Sequence, residues 1–266
     1  MYIAVDVGGT NIRVASAESL EPIVLQNKVS FENSSDYEAN IRRIIKTIRE
    51  LSPTITAVAM SCPGRVNEDN TLISAATYVP QWINQPFIES LKDALQCPVV
   101  MRHDSECAAW GEILANKDSK DFYCIGYGTG IGGSKITYTS GQLTVKRVSD
   151  EIHGQYFKPW QLHCGGEGIK QRFNKPAETL SEAEWAEVMD DFYGYLVTFI
   201  EEMNASHIVF CGGIAVKQWS RLEPVFARVK REHPELQNTA ITLIHFGEDA
   251  QLYGALTLLQ SNKKTV

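Results

Sequence analysis

The chain has 266 residues, 44% of them hydrophobic, and carries 25 Lys and Arg against 32 Asp and Glu, a formal net charge of -7. That is enough apolar matter for one large domain or two modest ones, and too much for a disordered chain. The acidic balance disfavours nucleic acid, which needs a clustered basic face, but not a phosphate ligand, whose charge Mg²⁺ and backbone N–H groups neutralise locally. The six cysteines are widely spaced with no C-x-x-C pair, which points to a reducing, cytoplasmic setting. The N-terminus enters a strand-like run without signal-peptide character, and no apolar run reaches bilayer-spanning length, so no membrane partner is expected.

In chain order, residues 2–5, a Gly-Gly turn and residues 12–16 predict a β-hairpin. Ser35-Asp36-Tyr37-Glu38 reads as a capping box, opening a helix with Ile41, Ile44, Ile45, Ile48 and Leu51 on one face. Residues 55–60 and 97–102 predict strands, the second running into a helix over 105–114. Residues 122–127 and 134–138 flank a glycine-rich turn and predict a second hairpin. Ser181 and Glu184 form another capping box, followed by a core stripe of Trp185, Val188, Met189, Phe192, Leu196, Phe199, Ile200 and Met203. A strand over 207–211 ends in Gly212-Gly213, and residues 250–260 predict a last helix before a Lys-rich, frayed end. The alternation makes this an α/β chain, and the repeated strand–glycine turn–strand unit predicts two related lobes around a cleft.

Three segments carry chemistry. In Asp6-Val7-Gly8-Gly9-Thr10-Asn11-Ile12-Arg13, two glycines expose N–H groups to phosphate oxygens. Thr10 adds a hydroxyl, Arg13 is expected to reach a phosphate, and Asp6 to hold a Mg²⁺-bound water. A plain Gly-Gly hairpin is the competing account. The run from Gly126 to Gly133 has five glycines in eight residues, more than a structural hairpin needs, yet it lacks the ending of a P-loop and the helix of a dinucleotide fingerprint. Asp104, where a strand meets a helix, could serve as an N-cap or as the base that phosphoryl transfer to an alcohol requires. Ala108, Ala109 and Gly111 predict a helix packed closely on a neighbour, with Glu106 and Glu112 solvated or structural.

Together these motifs resemble the ROK family of bacterial sugar kinases and sugar-responsive repressors. Ser61-Cys62-Pro63-Gly64 is similar to its connecting segment, Pro80 to Phe87 to its Trp-containing loop, and His103-Asp104 through Gly111-Glu112 to its catalytic segment. Gly128-Thr129-Gly130-Ile131-Gly132-Gly133 resembles the second phosphate motif, Phe210-Cys211-Gly212-Gly213 the adenosine-side glycines, and Gly247 to Ala255 the closing segment. The resemblance implies an actin-like ATPase (RNase H-like) fold. Its N-terminal lobe would span 1–105, with a helix over 250–266 packing back onto it, and its C-terminal lobe 106–249. It is compatible with a homodimer. ATP and Mg²⁺ are the implied cofactors, with phosphates on Asp6, Gly8, Gly9, Thr10, Asn11, Arg13, Gly128, Thr129 and Gly130, and Gly212 and Gly213 beside adenosine. The implied sugar contacts are Pro63, Gly64, His103, Asp104, Glu151 and His153.

The departures lie on the sugar side. The family's Gly-Glu-Ile-Gly-His and Cys-x-Cys-Gly-x-x-Gly-Cys-x-Glu segments build a structural zinc site; here they read Asp150-Glu151-Ile152-His153-Gly154 and Leu162 to Gln171. His153, His163 and Cys164 are the remaining donors, two of them adjacent, so no zinc is expected, and Leu162 and Ile169 are expected to join the core. His103 stands where the family usually has Asn. The expected activity is ATP-dependent phosphorylation of a hexose or amino-hexose, of the glucokinase, fructokinase or N-acetylmannosamine kinase type, at the primary hydroxyl with Asp104 as base. The alternative is a non-catalytic sugar sensor. The family's repressors carry a DNA-binding segment before the first phosphate motif, which here begins at residue 6, so DNA binding is not expected.

Overall fold

The expected N-terminal hairpin is the start of a larger sheet. β1 (Tyr2–Val7) and β2 (Asn11–Ala17) pair antiparallel, with Asp6 opposite Arg13 and Val7 opposite Ile12. The computed structural model describes residues 1–118 and 120–261. β3 (Gln26–Glu32) adds to β2 as a polar edge strand that the sequence pattern does not reveal. α1 (Tyr37–Leu51) then crosses to β4 (Ala57–Cys62), which runs parallel to β1 and is buried throughout. The short pair β5 (Arg65–Val66) and β6 (Ile73–Ala75) and helix α2 (Phe87–Leu95) lead to β7 (Val99–His103), parallel to β4. The sheet order is β3-β2-β1-β4-β7.

Two helix starts differ from expectation. The cap of α1 is Asp36, whose Oδ1 accepts from Ala39 N at 3.1 Å; no box forms on Ser35. The run Ser34-Ser35-Asp36 offers three good capping residues in a row, and the register of the buried Ile41, Ile44 and Ile48 decides among them. Helix α3 (Asp104–Ala115) is capped by His103, so Asp104 is its first residue instead of its cap.

The second sheet repeats the plan. β8 (Phe122–Tyr127), β9 (Ile131–Thr139) and β10 (Gln142–Arg147) form an antiparallel meander. A continuous helical stretch follows as α4 (Asp150–Ile152), a π-helical turn at His153–Phe157, and α5 (Lys158–Cys164); α6 (Gly166–Phe173) comes after one corner. α7 (Glu182–Met203) opens on the expected capping box, with Ser181 and Glu184 making both reciprocal bonds. β11 (His207–Cys211) lies parallel to β8, and after α8 (Gly213–Lys217) and α9 (Trp219–Glu232) β12 (Ala240–Leu243) lies parallel to β11. The order β10-β9-β8-β11-β12 matches the first sheet strand for strand.

α10 (Ala250–Ser261) returns to the first sheet's helix α3; residues 262–266, expected to extend it or fray, lie outside the described residues. The chain divides into two units, Met1–Asn116 with the segment from Asp249 on, and Lys117–Glu248. The division falls after α3, not at residue 105 as expected. The reason is packing: a Cβ on Gly254 would sit 1.6 Å from Cys107 O, and one on Gly111 would sit 2.4 Å from Ala250 O, so α3 and α10 lie backbone to backbone. Glu112 on α3 is buried, not solvated.

The second unit's core holds Phe157, Trp160, Phe192, Phe199 and Phe210, with ring centroids of Trp160 and Phe192 4.9 Å apart. Ile169 joins this core, as expected. Leu162 does not: it is 52% exposed. It precedes Cys164 by two residues on α5, and a helix that buries Trp160 and Cys164 turns position 162 outward.

Candidate functional site

The first glycine turn joins β1 to β2. Gly8 N donates to Asn11 O at 2.9 Å, closing the turn, while Thr10 and Asn11 stay exposed. Below it Asp6 is buried, with Oδ2 accepting from Arg13 Nε at 3.1 Å and Nη2 at 2.6 Å and Oδ1 from Ser61 Oγ at 2.6 Å. Arg13, expected to reach a phosphate, pairs here with Asp6, which sits directly across the ladder from it. Both Asp6 oxygens thus accept hydrogen bonds from neighbouring side chains.

The same unit carries Asp104 at the β7–α3 junction. Its side chain is 40% exposed, and Oδ1 accepts from Ser105 N at 2.7 Å. His103 Nδ1 lies 3.0 Å from that oxygen, 3.2 Å from Ser105 N and 2.8 Å from Ser105 Oγ. With its proton on Nε2 the ring accepts from Ser105; with it on Nδ1 the ring donates to Asp104. Either way the imidazole is held beside the carboxylate. Burial, and then the charges of Asp6 and Asp104, push the Cys62 thiol well up; burial and the same charges do so for Cys107. Both thiols stay protonated and add no charge next to the two carboxylates. Pro63 and Gly64 follow β4, where Gly64 adopts φ +86° and a Cβ would meet Ala75 O at 2.4 Å.

In the second unit, Gly128-Thr129-Gly130 bridges β8 and β9, with Gly128 N donating to Gly130 O at 3.0 Å. The α5–α6 corner backs this turn: Gly166 N donates to Gly128 O at 2.8 Å and Glu167 N to Thr129 O at 2.9 Å. A Cβ on Gly166 would be tight, 3.2 Å from Gly128 O, and one on Gly165 would clash, 2.7 Å from Gln161 O. Crowding at Gly133 comes from the protein itself, Cys124 O and the Phe157 ring, so not every glycine of the run makes room for a ligand. Gly212, at the end of β11, has φ +93°, and a Cβ would meet Tyr127 O at 2.7 Å. Gly212→Ala is expected to lower stability by about 1–3 kcal/mol, read as a fall in urea midpoint without a change in slope.

Glu151 is on α4, and His153 opens the π-helical turn with its ring along Phe157 and about 4 Å from where a Gly132 Cβ would be. Burial first, and then Arg147, lowers the His153 pKa, so this imidazole is neutral near pH 7. Zinc does not fit the remaining donors. His163 is exposed, with Nδ1 3.0 Å from Pro159 O and 2.8 Å from Tyr195 OH, whereas Cys164 is buried with Sγ 3.6 Å from Val188 O. Neighbours on one helix, they point to opposite environments and cannot converge on one ion.

A sequence model of the ROK family matches residues 2–144. The chain belongs to the ROK family. A glucokinase of Streptomyces coelicolor is 30% identical over 140 residues, 51% of this chain and 43% of the relative. A beta-glucoside kinase of Listeria monocytogenes is 29% identical over 142 residues, 53% of this chain and 47% of the relative. The chain thus spans about half the length of these curated relatives it matches. A solved ROK glucokinase of Streptomyces griseus, in complex with glucose and AMPPNP, superposes with TM-score 0.76 at 20% identity, over 97% of this chain and 98% of that one. The fold is accordingly the actin-like ATPase fold, and the two matching sheets are its repeated halves. Among the described residues no helix is long and apolar enough to cross a membrane.

Sequence reasoning missed Asn33, Gln161 and the main chain of Gly166-Glu167. Asn33 Nδ2 donates to Gly8 O at 2.7 Å, and Gln161 Oε1 accepts from Ile131 N at 3.3 Å. No local signal marks either, since each acts on a turn distant in sequence.

Proposed function

We propose that this ROK protein is an ATP-dependent kinase that phosphorylates a hexose or amino-hexose on its primary hydroxyl. The observation that carries the reading is a half-exposed carboxylate, Asp104, held at a strand-to-helix junction in the unit that also presents the Gly8-Gly9 turn. In this reading Asp104 takes the proton of the attacking hydroxyl, and little other covalent chemistry is asked of the protein. Gly8, Gly9, Thr10 and Asn11, and likewise Gly128, Thr129 and Gly130, are assigned to phosphate oxygens, and Gly212 and Gly213 to the adenosine. Mg²⁺ supplies charge neutralisation, and Asp6 orients its water. Pro63, Gly64, His103, Glu151 and His153 contact the sugar. Support comes from family membership, from relatives named glucokinase and beta-glucoside kinase, and from the glucose and AMPPNP bound by the Streptomyces griseus enzyme.

The test is ATP consumption by the intact chain with Mg²⁺ across a panel of hexoses, N-acetylhexosamines and glycosides. Turnover with at least one sugar is expected, with a 6-phosphate product. Sugar binding by calorimetry without turnover on any panel member would replace the kinase with a non-catalytic sensor.

A further inference from the structure

Asn33 follows the edge strand β3 and is almost wholly buried, yet none of its polar atoms is idle. Its Oδ1 accepts from Asn40 Nδ2 at 2.8 Å, Trp82 Nε1 at 3.1 Å and Gln81 Nε2 at 3.2 Å. An indole nitrogen can only donate, so the atom facing Trp82 is the amide oxygen and the amide orientation is settled by chemistry. The other end must then be the NH₂ group, and it donates to Gly8 O at 2.7 Å. Asn33 also uses its main chain: its N–H donates to Thr10 O at 2.8 Å. Two carbonyls of the first glycine turn, Gly8 and Thr10, are therefore drawn to one residue.

A trans peptide is planar, with its C=O and the following N–H pointing opposite ways. The peptides after Gly8 and Thr10 are trans, the cis bond of the described residues being Glu21-Pro22. Holding Gly8 O and Thr10 O toward Asn33 thus turns the N–H groups of Gly9 and Asn11 away from it. The second turn is also held by its carbonyls, though consecutive ones, Gly128 O and Thr129 O, which accept from the N–H groups of Gly166 and Glu167.

We propose that Asn33 is the positioning residue of the first phosphate turn, fixing which way its N–H groups face, and that it ties this turn to the Trp82 loop. Trp82 is fully buried, edge-on to Tyr37 and Phe87 at centroid distances of 5.5 and 5.4 Å, so Asn33 is anchored to a rigid block. The phosphate part of this inference rests on the nucleotide reading above; the orientation part does not.

Asn33→Asp separates positioning from folding. The carboxylate keeps an acceptor for Asn40, Gln81 and Trp82, but replaces the donor to Gly8 O with a repelling oxygen. Asn33→Ala removes both. Two readouts are taken on the intact chain: amide hydrogen exchange of residues 8–11 without nucleotide, and titration with MgAMPPNP. Asn33→Asp is expected to speed exchange of the Gly8 amide, which donates to Asn11 O at 2.9 Å, at least tenfold and weaken MgAMPPNP about tenfold, with buried Trp fluorescence close to wild type. Exchange and affinity both within twofold of wild type would overturn the proposal. If wild type itself fails to bind MgAMPPNP, the nucleotide reading falls, while faster exchange in the variant still establishes the clamp. Loss of Trp82 burial in Asn33→Asp would mean a merely structural role and would also overturn it. Phosphate repulsion by the new charge cannot mimic the exchange result, which is measured without ligand.

Discussion

Asp104→Asn is expected to lower kcat for sugar phosphorylation by about 10²–10⁴-fold, the range general-base removal usually gives. The amide is nearly isosteric with the carboxylate and retains an oxygen to accept from Ser105 N, as Oδ1 does at 2.7 Å. The start of α3 should therefore survive, with the melting temperature moving by no more than about 2 °C. KM for ATP should change little, because Asp104 is assigned to the acceptor and not to the phosphates. Steady-state kinetics with the best sugar of the panel checks this directly. Turnover close to wild type would move the base elsewhere even if the kinase reading stood.

Gly254→Ala is expected to be the most disruptive small substitution in the first unit. The new Cβ would fall 1.6 Å from Cys107 O and 2.8 Å from Gly111 N, and both are backbone, so nothing flexible can yield. α10 would have to move bodily off α3, at a cost of about 3 kcal/mol or more. For a chain of this size that corresponds to a melting temperature lower by about 6–12 °C. Gly194→Ala is the control, because on α7 its Cβ meets nothing within 4 Å. There the change should be neutral or stabilise by up to about 1 kcal/mol. A Gly254→Ala protein that melts with wild type would show that the helices are not packed as described. Since Asp104 is the first residue of α3, residual activity in Gly254→Ala should fall along with stability.

Much of the fold was legible because its signals are local. The strand over 122–127 and that over 207–211 are apolar runs ended by glycines, and Ser181 with Glu184 forms a self-contained cap. The strand β3 was not legible: Gln26–Glu32 is a polar edge whose one buried member is Phe31, so no alternation announces it. The start of α1 was misplaced by one residue because Ser35 and Asp36 are both competent caps and only burial of the isoleucine stripe chooses. At the site, residue types were readable and partners were not. The pairing of Arg13 with Asp6 could be read only once the ladder put the two opposite each other. Asn33 lies among capping residues in sequence, and its role depends on Trp82, 49 positions away.

The two glycine turns are held by different kinds of group, and this bears on how each tolerates mutation. The first depends on one residue, whose side-chain amide holds Gly8 O and whose main chain holds Thr10 O, so a single substitution at position 33 can alter it. The second depends on the main-chain N–H groups of Gly166 and Glu167, which nearly any residue but proline provides, while the strict demands for a missing Cβ fall on the flanking Gly165 and Gly168, where it would meet Gln161 O at 2.7 and 2.4 Å. With those glycines kept, side chains such as Leu162 and Cys164 could thus change without releasing the turn that the corner supports. Sequence change has room to accumulate where the backbone does the holding, and little room at Asn33.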